Sequence, residues 1–195
     1  MWNKRYSVDE YVYGTEPNSF LVEHSKMLKG PVLSLAEGEG RNAVYLASLG
    51  LAVHGVDSSE VGLTKALALA QSKGVEIQTE VADLAEFQPK CDHYESVISI
   101  FAHLPSAVRQ KLYPLVERSL KPGGLIILEA YSEAQITRDT GGPKEIDLLM
   151  TEQKIKAEFP NCEPIFLREV VREVCEGQYH TGEACVVQFI GRKKA

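Results

Sequence analysis

A glycine-rich turn is the strongest chemical feature of this sequence. It lies in the run Val32-Leu33-Ser34-Leu35-Ala36-Glu37-Gly38-Glu39-Gly40-Arg41-Asn42, where an apolar strand passes through glycines directly into a helix. Gly38 and Gly40 permit positive φ and let a ligand approach the backbone without meeting a Cβ. The helix that follows presents unpaired N–H groups to whatever lies there. Such a turn fits a ligand site and a packing turn alike, so its meaning depends on its neighbours.

Two aspartates follow the next two predicted strands. Asp57 ends the second strand, 17 residues after Gly40, and Asp83 follows the third. Because ligands of open α/β sheets bind at the carboxyl ends of strands, these side chains are expected beside the glycine turn. Asp57 could accept hydrogen bonds from ribose hydroxyls, and Asp83 from an adenine amino group. The alternative role for Asp57 is an N-cap, but Ser58 and Ser59 offer rival caps.

Histidines supply the candidates for proton transfer. His103 follows the predicted fourth strand and is the best-placed general base, although a loop or capping role is the alternative. His180 is predicted at a hairpin tip, where turn chemistry explains it. The remaining histidines have no metal-ligand spacing, and the four cysteines form no CxxC pair, so no metal site is predicted and the thiols are expected to be reduced and mostly buried.

Apolar runs alternate with helical periodicity from residue 31 onward, which is typical of a parallel sheet with crossover helices. A helix is also expected over 19–28, and a proline at position 114 is expected to kink or divide the helix over 105–120. A Lys-Pro-Gly-Gly turn at 121–124 is expected to lead into the fifth strand, and two long antiparallel strands are expected around 177–182. The predicted strands are 31–36, 51–57, 76–82, 94–101 and 125–131, and the remaining predicted helices lie after the glycine turn, after residue 58 and over 151–159.

The composition predicts one domain of 195 residues with a substantial core, since 44% of the residues are hydrophobic. Residues 1–30 are expected to form an N-terminal extension or lid, 31–131 the ligand-binding core, and 132–195 a substrate-side region with the hairpin. The net charge of −6 disfavours nucleic acid and anionic lipid as partners. No apolar signal core or membrane span is evident, so a cytoplasmic location is expected. The sequence indicates no oligomeric state.

These motifs together resemble the class I S-adenosylmethionine-dependent methyltransferases, and most of all their small tellurite-resistance-type branch. The resemblance rests on the glycine turn, Gly55-Val56-Asp57-Ser58-Ser59, Ala82-Asp83-Leu84 and Leu120-Lys121-Pro122-Gly123-Gly124. It implies an α/β fold with a doubly wound, mostly parallel seven-stranded sheet, helices on both faces and a C-terminal antiparallel hairpin. It also implies S-adenosylmethionine as the cofactor and a small molecule as the methyl acceptor.

The resemblance assigns roles to individual residues. The glycine turn would hold the methionine part of the cofactor, Asp57 its ribose, and Asp83 with the Leu84 backbone its adenine. Three positions depart from the family: Ser34 replaces an acidic residue, Ala36 a glycine, and Glu37 a frequent cysteine. Glu37 could reach the ammonium of the cofactor, and Arg5 could pair with the carboxylate of its methionine part. The full set of candidate cofactor-binding residues is Arg5, Ala36, Glu37, Gly38, Gly40, Asn42, Asp57, Ser58, Asp83, Leu84 and Ser99.

Two other functions fit parts of the pattern. Gly38-x-Gly40-x-x-Ala43 followed by Asp57 also satisfies the dinucleotide fingerprint of an NAD(P)-dependent oxidoreductase. In such an oxidoreductase Asp83 would have no role in the dinucleotide site. The single predicted domain would also leave no second domain to bind the substrate. A protein that binds S-adenosylmethionine without catalysis is the other alternative, which the substitutions at Ser34 and Glu37 favour.

Overall fold

A single seven-stranded sheet organises the protein in the computed structural model, which describes residues 2–177 and 179–194. The strand order is β3-β2-β1-β4-β5-β7-β6, with β7 antiparallel to both of its neighbours and the other pairs parallel. The predicted fold class is therefore confirmed. The strands are β1 Val32–Leu35, β2 Val53–Asp57, β3 Gln78–Val81, β4 Tyr94–Ile100, β5 Leu120–Tyr131, β6 Cys162–Glu176 and β7 His180–Lys193.

Helices cover both faces of the sheet. The six α-helices of the described chain are α1 Trp2–Tyr6, α2 Ser19–His24, α3 Arg41–Ser48, α4 Glu60–Ser72, α5 Ser106–Ser119 and α6 Glu152–Glu158. Alternation along β1 sends Leu33 and Leu35 into a core with α5 and α6, while Val32 faces a second core with α2, α3 and α4. Short 3₁₀ helices lie at Ser25–Met27, Glu133–Thr137 and Ile146–Leu148.

Three predicted boundaries need correction. The helix expected over 19–28 ends as an α-helix at His24 and continues as a 3₁₀ turn. Pro114 does not divide its helix, because α5 runs unbroken through it. β5 begins at Leu120, which pairs with Tyr94, and the ladder resumes at Leu125 opposite Ser96. The Lys-Pro-Gly-Gly segment is therefore a bulge within the strand, which local turn signals could not distinguish from a loop.

Within the described residues, no helix is both long enough and apolar enough to cross a membrane. The same part of the chain holds no cluster of potential metal ligands. Cys162 and Cys185 are buried free thiols, whereas Cys91 and Cys175 are exposed, so the prediction of mostly buried cysteines is correct for two of the four.

Gly40 joins the glycine turn to the helical layer. Its φ is +95°, it precedes α3 as the N-cap, and a Cβ at this position would lie 2.6 Å from the Cβ of Ala66 on α4 and 2.7 Å from its Cα. Gly50 has a similar φ of +85°, but a Cβ there would meet nothing within 4 Å. Comparing substitutions at Gly40 and Gly50 therefore separates the cost of the backbone conformation from the cost of contact with α4.

We expect Gly40→Ala to destabilise the protein more than Gly50→Ala. Both substitutions incur the left-handed backbone cost of about 1–2 kcal/mol, and Gly40→Ala adds an overpacking cost of about 1–3 kcal/mol against α4. Urea unfolding of the two variants measures the difference. Equal losses of stability would show that α3 and α4 do not need this close approach.

Candidate functional site

One cavity of about 660 Å³ lies at the carboxyl ends of the central strands. Gly38 after β1, Asp57 at the end of β2 and Asp83 after β3 all line it, which is the convergence that the strand-end argument predicted. The predicted site residues on its wall are Arg5, Ala36, Glu37, Gly38, Asn42, Asp57, Ser58, Asp83, Leu84 and His103. The structure therefore gathers most of the candidate set in one place.

Asp57 holds the glycine turn in position. Its Oδ2 accepts a hydrogen bond from the Gly38 N–H at 2.9 Å, and its Oδ1 accepts one from the Ser59 N–H at 2.8 Å. Ser59, rather than Asp57, is the N-cap of α4, since its Oγ accepts from the Gly62 N–H at 3.0 Å. A carboxylate has about four lone-pair sites, so two remain for ribose hydroxyls. Burial raises the pKa of Asp57, and the backbone hydrogen bonds oppose that rise.

Glu37 stabilises the turn from within. Its Oε1 accepts from the Ala43 N–H at 3.0 Å, and Ser34 Oγ donates a short hydrogen bond to its Oε2. Ser34 and Glu37 thus form a buried pair at the two positions that depart from the family pattern. Both oxygens of Glu37 are engaged within the turn, and this leaves less capacity for the ammonium contact that the sequence suggested. Ala36, where the family has glycine, adopts a positive φ of 51°.

Asp83 and Asn42 line the same cavity as the glycine turn. Asp83 is exposed, and its Oδ1 accepts from the Ala85 N–H at 2.9 Å, so its other oxygen is available to a ligand. Asn42 is buried at the start of α3, and its Oδ1 accepts from the Asn18 N–H at 2.9 Å. Its amide group lines the cavity beside the glycine turn.

Two candidate residues do not reach the cavity wall. Gly40 is turned toward Ala66 of α4, so its glycine requirement comes from helix packing rather than from a ligand. Ser99 is buried in β4 between Leu35 of β1 and Leu128 of β5, and the cavity-lining part of this strand begins at Ile100. The cavity lies beyond the carboxyl end of β4, where the consecutive residues 100–105 line it, and Ser99 lies one residue too early in the strand to reach it.

His103 lies on the cavity wall, but its imidazole is already engaged. Nε2 accepts a hydrogen bond from the Tyr131 N–H at 3.0 Å, and the two rings stack with centroids 5.3 Å apart. Burial lowers the pKa of His103 to about 3, with a further contribution from His180. The geometry therefore does not support the predicted general base and favours the alternative, a structural histidine.

Sequence reasoning missed much of the opposite wall. Residues from four separate segments form it: Trp2, Tyr6, Tyr13, Phe101, Tyr179 and His180. The aromatic N-terminal segment is a visible signal in the sequence, and Tyr6 from this segment packs on Gly38, where a Cβ would meet the Tyr6 hydroxyl at 2.8 Å. His180 was expected at a hairpin tip, but it begins β7 and pairs with Glu176 of β6.

Burial raises the pKa of Glu37 from 4.5 to about 7, against opposing contributions from Ser34, Ala43 and Arg41. The folded state therefore holds this proton more tightly than the unfolded state, so Glu37 should cost stability as the pH rises from about 4.5 to about 7. We expect Glu37→Gln, which can keep both hydrogen bonds, to remove that loss. Urea unfolding at about pH 5 and about pH 8 measures it, with the exposed Glu86→Gln as control. An unchanged pH slope in Glu37→Gln would contradict this assignment.

Comparison with known proteins agrees with the architecture. Residues 32–124 match the family model described as a methyltransferase domain. Over 129 residues the chain is 26% identical to the 2-heptyl-1-hydroxyquinolin-4(1H)-one methyltransferase of Mycobacteroides abscessus, covering 65% of this chain and 56% of that protein. The matched region thus spans just over half the length of this relative.

Solved structures show the same fold at low identity. A protein from a study of disulfide-to-thioacetal conversion during echinomycin biosynthesis has a TM-score of 0.80 at 18% identity, covering 98% of this chain and 88% of that one. TehB from Haemophilus influenzae has a TM-score of 0.73 at 21% identity, covering 99% of this chain and 66% of that one. Residues 32–124 therefore match a methyltransferase domain, and these solved structures share the α/β fold that the sequence predicted.

Proposed function

We propose that this protein is an S-adenosylmethionine-dependent methyltransferase that acts on a small-molecule acceptor. The observation that carries the proposal is the convergence of Gly38, Asp57 and Asp83 on one cavity of about 660 Å³. This volume lies within the usual range of small-ligand sites. The methyltransferase domain match over the same strands supports the assignment.

The residues present fit an adenosyl ligand. Asp57 keeps lone pairs for the ribose hydroxyls after serving the Gly38 and Ser59 amides. Asp83, with one oxygen bound only to the Ala85 N–H, suits an adenine amino group. Arg5 lies at the cavity with its Nη1 donating to the Tyr13 hydroxyl at 2.9 Å, which leaves other guanidinium N–H groups for a carboxylate.

When bound, S-adenosylmethionine supplies a methyl group on a sulfonium, which a nucleophile can attack without metal or covalent catalysis. The part of the protein in this displacement is to hold the acceptor in line and to exclude water. The walls beyond Asp57 are suited to that task because they are aromatic and close-packed. The acceptor itself is expected to be small, since the cavity has a volume of about 660 Å³ and the cofactor must share it.

The NAD(P)-dependent oxidoreductase alternative is less consistent with the structure. β7 runs antiparallel beside β5, where a dinucleotide fold has a further parallel strand. Asp83 lines the same cavity as Asp57, and a dinucleotide site gives it no role. We further propose that nucleic acid is not a partner, because the net charge of −6 would repel its phosphates. A cytoplasmic location is also part of this proposal.

Calorimetric titration distinguishes the cofactors. We expect micromolar binding of S-adenosylmethionine and S-adenosylhomocysteine, and none of NADH. The reverse result would overturn the proposal. Methyl transfer to a panel of thiols, small amines and planar hydroxylated aromatics then separates an enzyme from a protein that only binds the cofactor, and the name of the Mycobacteroides abscessus relative places hydroxyquinolones first in that panel.

We expect Asp57→Asn to weaken S-adenosylhomocysteine binding by about 10- to 100-fold, because it removes charge-assisted acceptors of about 1.5–3 kcal/mol. Asp83→Asn should weaken binding less, since Asp83 is exposed to solvent. The control is Asp9→Asn, an exposed position away from the cavity wall. Equal affinities in all three variants would remove Asp57 from the binding site.

A further inference from the structure

Aromatic rings line much of the cavity, among them Tyr6, Tyr13, Phe101 and Tyr179. His180 lies among them, with ring centroids 4.7 Å from Tyr13, 4.9 Å from Phe101 and 5.3 Å from Tyr131. Phe101 holds a positive φ of 52°, a strained conformation of the kind that clusters at functional sites. Flat aromatic walls favour a flat acceptor, because offset and edge-to-face contacts add to the burial of its surface.

The Gly141-Gly142 loop closes this part of the cavity at close range. A Cβ at Gly141 would lie 2.8 Å from the Tyr131 hydroxyl and 3.2 Å from Cδ2 of His180. A Cβ at Gly142 would lie 2.7 Å from the Tyr131 ring. The loop therefore lies against these rings as bare backbone.

His180 is paired with a carboxylate but keeps a free ring nitrogen. Nδ1 lies 3.8 Å from Glu176 Oε2, which is an ion-pair distance and too long for a formed hydrogen bond. Nε2 has no hydrogen bond to any described residue, and the side chain lines the cavity. Such distances commonly shorten once a ligand is bound. His103 differs, since its Nε2 already accepts from the Tyr131 N–H.

Glu176 is held rigidly behind His180. Arg41 Nη2 donates to its Oε2 at 2.6 Å, and Asn18 Nδ2 donates to its Oε1 at 2.8 Å. Burial opposes the ionised form of Glu176, but His180, Arg41 and Asn18 together lower its pKa to about 2. A carboxylate that stays ionised beside Nδ1 can stabilise the imidazolium after a proton is taken up.

The charges around His180 favour an acceptor that becomes anionic. Burial lowers the pKa of His180, Arg41 and Arg5 lower it further, and Glu176 opposes them, so the ring is neutral at physiological pH. Arg41 is neutralised by its ion pair with Glu176, so the positive charge that would repel a protonated amine and stabilise a developing oxyanion comes from Arg5. The titratable and charged groups that face this ring are Glu176 of β6, Arg41 of α3, Arg5 of α1, Tyr13, Tyr131 of β5 and His103.

We propose that the acceptor is a planar aromatic molecule with a weakly acidic hydroxyl, bound between Tyr13, Phe101 and the Gly141-Gly142 loop, and that His180 is its general base with Glu176 as positioning residue. This inference rests on the proposed methyltransferase function and adds the substrate class and a catalytic residue. In the reaction, the acceptor oxygen forms a bond to the methyl carbon as the sulfur–methyl bond breaks. The hydroxyl proton moves to Nε2 of His180, so the products are a methyl ether, S-adenosylhomocysteine and an imidazolium that returns its proton to solvent.

A binding experiment tests this without turnover. The probe is 4-nitrophenol, whose absorbance reports its ionisation, titrated into the protein with S-adenosylhomocysteine at a pH where the free probe is largely protonated. We expect the wild-type protein to bind the probe as the phenolate, with the proton on His180. His180→Gln should abolish that phenolate signal, whereas His103→Gln should retain it. No binding, or an equal phenolate fraction with His180→Gln, would overturn the proposal.

The pH dependence of methyl transfer to the probe gives a second test. We expect His180→Gln to lower kcat by about 100-fold or more, the usual range for a general base, and to shift the acidic limb of the profile to the ionisation of the probe itself. Glu176→Gln should move that limb to lower pH, because Glu176 raises the pKa of His180. His93→Gln, at an exposed position, is the control and should leave the profile unchanged.

The controls separate this inference from the proposed function. Unchanged S-adenosylhomocysteine affinity in His180→Gln shows that the nucleoside site is intact and the variant is folded. A merely structural His180 would raise KM or lower Tm without moving the profile, and that result would contradict the proposal. Loss of S-adenosylhomocysteine binding by the wild-type protein would instead refute the methyltransferase function itself.

Discussion

The buried ion pair between Arg41 and Glu176 connects the two halves of the site. Arg41 begins α3 directly after the glycine turn, and Glu176 ends β6 at the hairpin. Their side chains meet at 2.6 Å with less than a tenth of each exposed. Removing one partner of such a pair typically costs about 3–5 kcal/mol, because the other charge remains buried. The pair therefore fixes the hairpin, and His180 with it, against the side of the cavity that carries the glycine turn.

Further buried polar groups extend this connection. Asn18 bonds both Glu176 and Glu129, and Arg172 donates to Glu129 at 2.6 Å. Two carboxylates and two guanidinium groups thus balance each other, with Asn18 joining the N-terminal segment to β5 and β6. Burial raises the pKa of Glu129, and Arg172 and Asn18 oppose the rise. The aromatic N-terminal segment and the hairpin are held in place by polar contacts at the cavity, while apolar cores hold the sheet.

The part of the site formed by the glycine turn, Asp57 and Asp83 could be predicted from the sequence because its signals are local. Strand patterns, the glycine turn, Asp57 and Asp83 each depend on residues close in the chain, and parallel topology brings the strand ends together. Gly40 and Ser99 do not line the cavity, and local sequence could not predict this because their surroundings are tertiary: Ala66 of α4 faces one, and strands β1 and β5 flank the other. Arg41 and Glu176 are 135 residues apart, and no local pattern indicates that they meet. The engagement of His103 by Tyr131 was hidden for the same reason, as was the burial of His180.

A crystal structure with S-adenosylhomocysteine would test most directly whether Gly38, Asp57 and Asp83 form one binding site. We expect the ribose hydroxyls on Asp57, the adenine beside Asp83, and the sulfur facing the aromatic wall that contains Phe101 and His180. A second cavity, lined by His54, Glu80 and Tyr94, lies at the amino-terminal ends of the strands. Electron density for the nucleoside in that second cavity, or elsewhere away from Asp57, would contradict the account.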